Sequence, residues 1–275
     1  MYDLSALDGF TYRTLLEVTA SEDACALWCR RVGLLEGSMA CPTCAKYMML
    51  SKTKHGWRWR CQKKPHADRP VEKSIRAGSI FAKSKLPLTT LLRLLYACAS
   101  HKPAKTVMDE EGVSTDTACN WYNYCRDICS AEMLASEMKI GGEGHVIEID
   151  ETSLKKAVVK FTQTDRTKPT LLALIKKHVR LGTLIMSDKF GSYVSTNEVH
   201  TLANNRDLQD MSEGLWENQI KQHIKTMRGM VSDLLPSFLD ECLWRSWYFP
   251  PDASGTTYFK GLVVGIKKKY GHAEL

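Results

Sequence analysis

The spacing of Cys41-Pro-Thr-Cys44, then Cys61 and, after four residues, His66 constrains this 275-residue chain more than any other feature. Two ligands close together on one turn, met by a second pair brought in across a hairpin, is how a tetrahedral zinc site is assembled. Between the pairs, Trp57-Arg58-Trp59-Arg60 alternates as a strand does and runs straight into Cys61, which suits a ribbon. His55 is the poorer fourth ligand because it lies in mid-loop. A Cys-Pro-x-Cys pair also occurs as a redox dithiol, but that motif normally follows a βαβ strand and opens a helix. Here a basic hairpin and a second pair follow. No His-x-Glu precedes the cysteines, so a zinc deaminase fits poorly. The spacing predicts a closed, structural Zn²⁺ site in a zinc ribbon over 41–86.

The charge distribution points to a partner. The chain carries a net +7, but Cys41 to Thr106 holds 15 Lys or Arg against two acids, Asp68 and Glu72. That is a local balance of +13, leaving about −6 for the remainder. A basic block on a folded front half suggests phosphate contacts, and Arg58, Arg60, Lys63 and Lys64 are its candidate DNA-binding cations. A solvated lysine face is the plainer reading of the same numbers. No stretch approaches the roughly 20 apolar residues of a membrane helix. The first residues, MYDLSALDGF, lack the basic flank and apolar core of a secretory signal, so an intracellular protein is expected. In that setting the 10 cysteines are not a disulfide framework. Cys25 with Cys29, and Cys125 with Cys129, are four apart and read as small buried hydrophobes on helices.

Along the chain, 1–40 is a helical segment in which Ser21 caps a helix that stops near Gly33. The stretch KSIRAGSIFAKSKLPL reads as a turn-bounded strand and loop. Three helices follow within 87–140: Pro87 to Ser100, Pro103 to Glu111, and Ser114 to about Met138. The last two, joined by Gly112-Val113-Ser114, match a helix-turn-helix whose second helix enters the major groove. Ala118, Trp121 and Cys125 form its core face, while Thr115, Asp116, Asn120 and Asn123 lie nearer solvent. Thr115, Asn120 and Asn123 are its candidate DNA contacts. A plain helical hairpin remains the alternative.

After the Gly141-Gly-Glu-Gly144 break the pattern alternates strand and helix, which implies an α/β sheet over 145–250. HVIEID ends in Asp150 and TLIMSD ends in Asp188, so both acids close strands, where open α/β sheets place their sites. AVVKFTQT is a further strand, TLLALIKKHV a helix, and 211–230 and 234–247 are helical. Glu213 opens the first of these last two. Two strand-end aspartates and a helix-borne glutamate offer the hard oxygen ligands of Mg²⁺ or Mn²⁺. Solvent-facing acids at element ends are the plainer reading. Glu148 and Glu151 compete for these roles, Glu148 sharing a strand face with Asp150. Residues 251–275 read as a basic C-terminal tail.

The run CPTC…WRC…SIRAGSIFAKSKLPL, LLRLLYACAS, GVSTDTACNWYNYCRDIC, VIEIDET, GTLIMSDKFGSY, SEGLW and FLDECLWR resembles the Merlin superfamily of cut-and-paste transposases. Merlin elements are the eukaryotic relatives of a bacterial insertion-sequence group, and the likeness runs from Ser21 to Trp247. The resemblance implies an α/β, RNase H-like catalytic domain with a DDE triad of Asp150, Asp188 and Glu213. It implies a zinc ribbon and helix-turn-helix that bind terminal inverted repeats in double-stranded DNA, in a nuclear homo-oligomer. Water would nick each element end, and the freed 3′-hydroxyl would attack target DNA. The chain departs from the family in placing Asp150 and Asp188 only 38 apart, so its sheet is expected to lack one strand. Lys221 is an alternative alignment for the Glu213 position. A catalytically inactive, transposase-derived DNA-binding protein is the alternative function.

Overall fold

The computed structural model describes residues 4–54, 56–62, 70–136, 138–149, 176–187, 202–203 and 232–271. The chain divides into two compact units. The first comprises Met1–Glu132 and Leu243–Leu275, the second Met133–Cys242. The division falls within a helix, after Glu132, and not at the glycine-rich break further on.

The first unit begins with α1 (Tyr12–Val18) and α2 (Glu22–Arg31). Each has the start signal its sequence advertises: Thr11 accepts from the Thr14 N–H, and Ser21 from the Ala24 N–H at 3.2 Å. An antiparallel ribbon follows in the order β1 (Met49–Thr53), β2 (Gly56–Cys61), β3 (Val71–Ser74). The strand expected in KSIRAGSIFAKSKLPL is displaced: β3 lies just upstream and finishes at Ser74, and turns follow. Its Ser and Gly content favours turns over a ladder.

Three helices come next, α3 (Leu88–Ala99), α4 (Ala104–Glu111) and α5 (Thr115–Ala135). The α3 helix is the axis of the core. Leu88, Leu91, Leu92, Leu94 and Leu95 are all buried, so it is wrapped on nearly every side. One of its neighbours is α7 (Gly255–Tyr270), which follows α6 (Leu235–Tyr248). The segment expected as a basic tail is therefore a core helix. Phe259, Leu262, Val263 and Ile266 recur at helical spacing and are buried, while Lys267, Lys268 and Lys269 occupy its last turn. Cations there complement the helix dipole, so the lysines end a helix instead of marking a tail.

Aromatic rings fill the space around α3. Phe259 stacks on Phe10 with centroids 5.1 Å apart, and Phe10 meets Trp28 at 5.3 Å. The Tyr96 ring lies 5.5 Å from Phe259, and its hydroxyl bonds to that of Thr256 at 3.0 Å. At the C-terminal end of α3, Arg245 donates to the carbonyls of Ala99 and Cys98 at 3.0 and 3.2 Å. Its guanidinium lies 4.3 Å from the centroid of Tyr258. Cys98 O also accepts from the His101 N–H at 3.0 Å, whereas Ala99 O, among the last carbonyls of the helix, is met by the buried cation.

In the second unit β4 (Val146–Ile149), β5 (Leu184–Ser187) and the short β6 (Leu202–Ala203) form a parallel sheet in that order. Val146 pairs with Leu184 and Ile149 with Ser187. The glycine-rich segment enters it closely. The Gly142 N–H donates to Thr183 Oγ1 at 2.8 Å, and Gly141, at φ 81°, would bring a Cβ into that same hydroxyl. The architecture is mixed α/β, with an antiparallel ribbon in one unit and a parallel sheet in the other. The expected strand AVVKFTQT and the helix over 211–230 lie outside the described residues.

Candidate metal centre and helical pair

The turn carrying Cys41 and Cys44 is built by its backbone. The Cys41 N–H donates to Lys46 O, the Ala45 N–H donates to Cys41 O, both at 2.9 Å, and the Met48 N–H donates to Met39 O at 2.8 Å. Ala45 closes the turn at φ 57°, a left-handed position that costs a non-glycine residue about 1–2 kcal/mol. This fold-back turns both thiols towards the end of β2, where Cys61 arrives.

The three sulfurs lie within 4.8 Å of one another, and Cys44 Sγ is 3.6 Å from Cys61 Sγ. Zinc–thiolate bonds of about 2.3 Å in a tetrahedron put neighbouring sulfurs about 3.8 Å apart. The cluster is thus arranged so that a metal ion such as zinc could be held by three thiolates. Burial pushes the Cys41 thiol up. The backbone N–H groups of Thr43 and Cys44, then the thiols of Cys44 and Cys61, outweigh it and lower its pKa to about 6. A thiol so tuned is ready to ligate as thiolate. Cys29 behaves in the opposite way: its side-chain hydrogen bond with the Cys25 thiol and its burial raise it well above the ordinary value, as suits an inert core thiol. His66, Lys63, Lys64 and His55 lie outside the described residues.

The ribbon's alternation separates two functions. Trp59 and Cys61 face inward with Cys41 and Met48 as a small core. On the other face Arg60 Nε lies 2.7 Å from Glu72 Oε1, and Arg58 Nη1 3.5 Å from Glu72 Oε2. The two arginines expected to be free for DNA therefore share one carboxylate. The residue opposite Arg60 across the ladder is Glu72, a pairing that strand alternation alone does not foretell.

In the helical pair, Gly112 ends α4 in the left-handed conformation at φ 63°, and Ser114 caps α5 by accepting from the Thr117 N–H at 3.2 Å. Ala118, Trp121 and Cys125 are buried, as their spacing predicts. Asn120 is exposed. Thr115 is exposed and donates to Met108 Sδ at 3.0 Å, linking the two helices across the turn. Asn123 is half-buried and accepts from Arg126 at 2.8 Å. Of the three, Asn120 presents its amide most openly.

Asp150 and Asp188 are the residues that follow Ile149 and Ser187 in sequence, and these last are a paired couple in the parallel ladder. Asp150, Asp188, Glu213, Lys221 and Glu151 lie outside the described residues, and Glu148 lies in β4. Among the described residues no helix is long and apolar enough to cross a membrane. No family model, curated protein or solved structure matches this chain.

Proposed function

We propose that the chain is a DNA transposase resembling those of the Merlin superfamily, with an RNase H-like domain that cleaves at terminal inverted repeats and transfers the strand. The observation that carries this reading is the in-register parallel pairing of β4 with β5, whose sequences run on directly into Asp150 and Asp188. In the proposal Asp150, Asp188 and Glu213 hold Mg²⁺ or Mn²⁺, which would activate the attacking oxygen and stabilise the leaving one. Zn²⁺ is held by Cys41, Cys44, Cys61 and His66, and fixes the ribbon without taking part in cleavage. The α4–α5 pair acts as the helix-turn-helix on double-stranded DNA, in a nuclear homo-oligomer that brings two element ends together.

The test is cleavage of duplex DNA carrying the inverted repeats that flank the gene, in Mg²⁺ or Mn²⁺, beside the Asp188→Asn protein. Nicking at the repeat ends that the variant lacks, with binding retained, is the expected result. Binding without nicking by the unmutated chain would move the assignment to an inactive DNA-binding descendant. Failure to bind would remove both.

A further inference from the structure

We propose that a groove between α5 and the 78–87 loop clamps one sugar–phosphate strand of duplex DNA, with Lys83 and Lys85 on phosphates and Asn120 at the base edges. The inference rests on the DNA-binding part of the function proposed above and gives it a specific contact surface. The groove measures about 910 Å³. One wall is Lys83, Ser84 and Lys85, the other Thr117, Asn120 and Tyr124. Tyr270 of α7 closes one end, and no carboxylate is among the lining residues.

The loop is held in shape before any ligand arrives. Arg76 donates to Ser84 O at 3.0 Å and Leu86 O at 2.6 Å, and its other terminal nitrogen reaches Glu22 at 3.1 Å. The hydroxyls of Ser79 and Ser84 accept from the N–H groups of Phe81 and Leu86, each at 3.2 Å. Phe81 is fully buried and meets Trp121 of α5 at 6.0 Å. A loop so anchored gives up little conformational entropy on binding.

Charge separates this surface from the paired part of the basic block, although Lys46, Lys54, Lys73 and Lys105 also have no ion-pair partner among the described residues. Arg58 and Arg60 share Glu72, Arg76 and Arg93 reach Glu22 and Glu111, and Lys52 and Lys102 pair with Asp23 and Glu110. Lys83 and Lys85 are exposed and have no ion-pair partner among the described residues. Two unpaired cations opposite an asparagine in the first turns of a helix suit a strand whose phosphates run beside readable bases. Tyr124, 48% exposed, adds a ring face that a sugar or base could cover. An acidic peptide would satisfy the lysines but give Asn120 no base edge to read.

The experiment follows fluorescence anisotropy of the full chain with two labelled duplexes across a salt series. One duplex carries the inverted repeats flanking the gene, and the other an unrelated sequence. Replacing both lysines (Lys83→Gln with Lys85→Gln) should lower the log–log salt slope by about 2 on both duplexes. The pair Lys83→Arg with Lys85→Arg should keep it. Asn120→Ala should narrow the preference between duplexes by about fivefold or more. Thr117→Glu completes a capping box with Ser114 and so preserves the helix start; its carboxylate in the groove should weaken binding to both duplexes. An unchanged slope in the glutamine pair, or unchanged affinity in Thr117→Glu, with the unmutated chain binding, overturns the groove and leaves the proposed function standing. An unmutated chain that binds neither duplex overturns both.

Discussion

The carboxylate of Glu22, in the first turn of α2, accepts the backbone N–H of Leu88, the first residue of α3, at 2.9 Å. The Thr89 N–H follows at 3.3 Å and the Arg76 guanidinium at 3.1 Å. Pro87 occupies the N-cap of α3 and has no side-chain hydrogen bond to offer, so an acid distant in sequence serves instead. Negative charge at that end also complements the helix dipole.

Losing this cap should cost about what a local N-cap does, roughly 1–2 kcal/mol. We expect Glu22→Ala to lower the urea midpoint accordingly and Glu22→Gln, which keeps an acceptor, to lower it less. Equal midpoints for the unmutated and alanine proteins would show that water serves those N–H groups as well.

The Cys41, Cys44 and Cys61 cluster, as the proposed zinc site, makes a stoichiometric prediction. The purified chain should carry about one zinc ion, the ordinary complement of a single structural site. Cys61→Ser should carry almost none, because it removes the ligand that the hairpin delivers. Elemental analysis of folded protein decides it: a full complement of zinc in Cys61→Ser would place the ion elsewhere.

Asp23 links α2 to the ribbon through Lys52 Nζ and through Trp57 Nε1, which donates at 2.9 Å. The hydrogen bond from Lys52, then that from Trp57, hold its carboxyl below the ordinary 3.8. A depressed folded pKa means stability that is complete above about pH 4 and is lost as pH falls through the lower, folded value. Asp23→Asn should therefore be less stable than the unmutated chain at neutral pH, with the two curves converging in strong acid. Parallel curves down to the lowest pH at which both refold would mean that these bonds contribute nothing.

Arg245 is 8% exposed, with its guanidinium spent on Ala99, Cys98 and the Tyr258 ring. Arg245→Met keeps much of the packing but takes the donor from Ala99 O and one of several from Cys98 O, and should destabilise by about 1–3 kcal/mol. Thermal unfolding measures this; an unchanged midpoint would mean that water reaches the end of α3.

Much of this architecture is visible in local pattern. Ser21 and Ser114 announce their helices, the leucines of α3 recur at helical spacing, and the alternation of Trp57 to Cys61 gives β2 its inward face. The thiols of Cys41, Cys44 and Cys61 meet as their spacing requires. What escapes the sequence is decided by partners far along the chain. Glu22 looks like an ordinary first-turn acid, and nothing near it names Leu88. Arg58 and Arg60 look free until the ladder sets Glu72 beside them. The α7 helix was obscured by Gly255, Gly261 and Gly265 and by its closing lysines, although Phe259, Leu262, Val263 and Ile266 carried the signal. Two of those glycines suit close packing: a Cβ on Gly261 would collide with Phe249, and one on Gly255 with Ser100.

Because the first unit is made of Met1–Glu132 and Leu243–Leu275, its core waits on the ribosome for its last helix. At roughly 5–20 residues per second, synthesis of the intervening Met133–Cys242 takes on the order of 10 s. During that interval the buried side of α3 that α7 later covers has no helix upon it. A message cut short within the second unit therefore yields a front half with part of its core open to water. Such a fragment should be cleared by proteolysis before it could compete with the full-length protein.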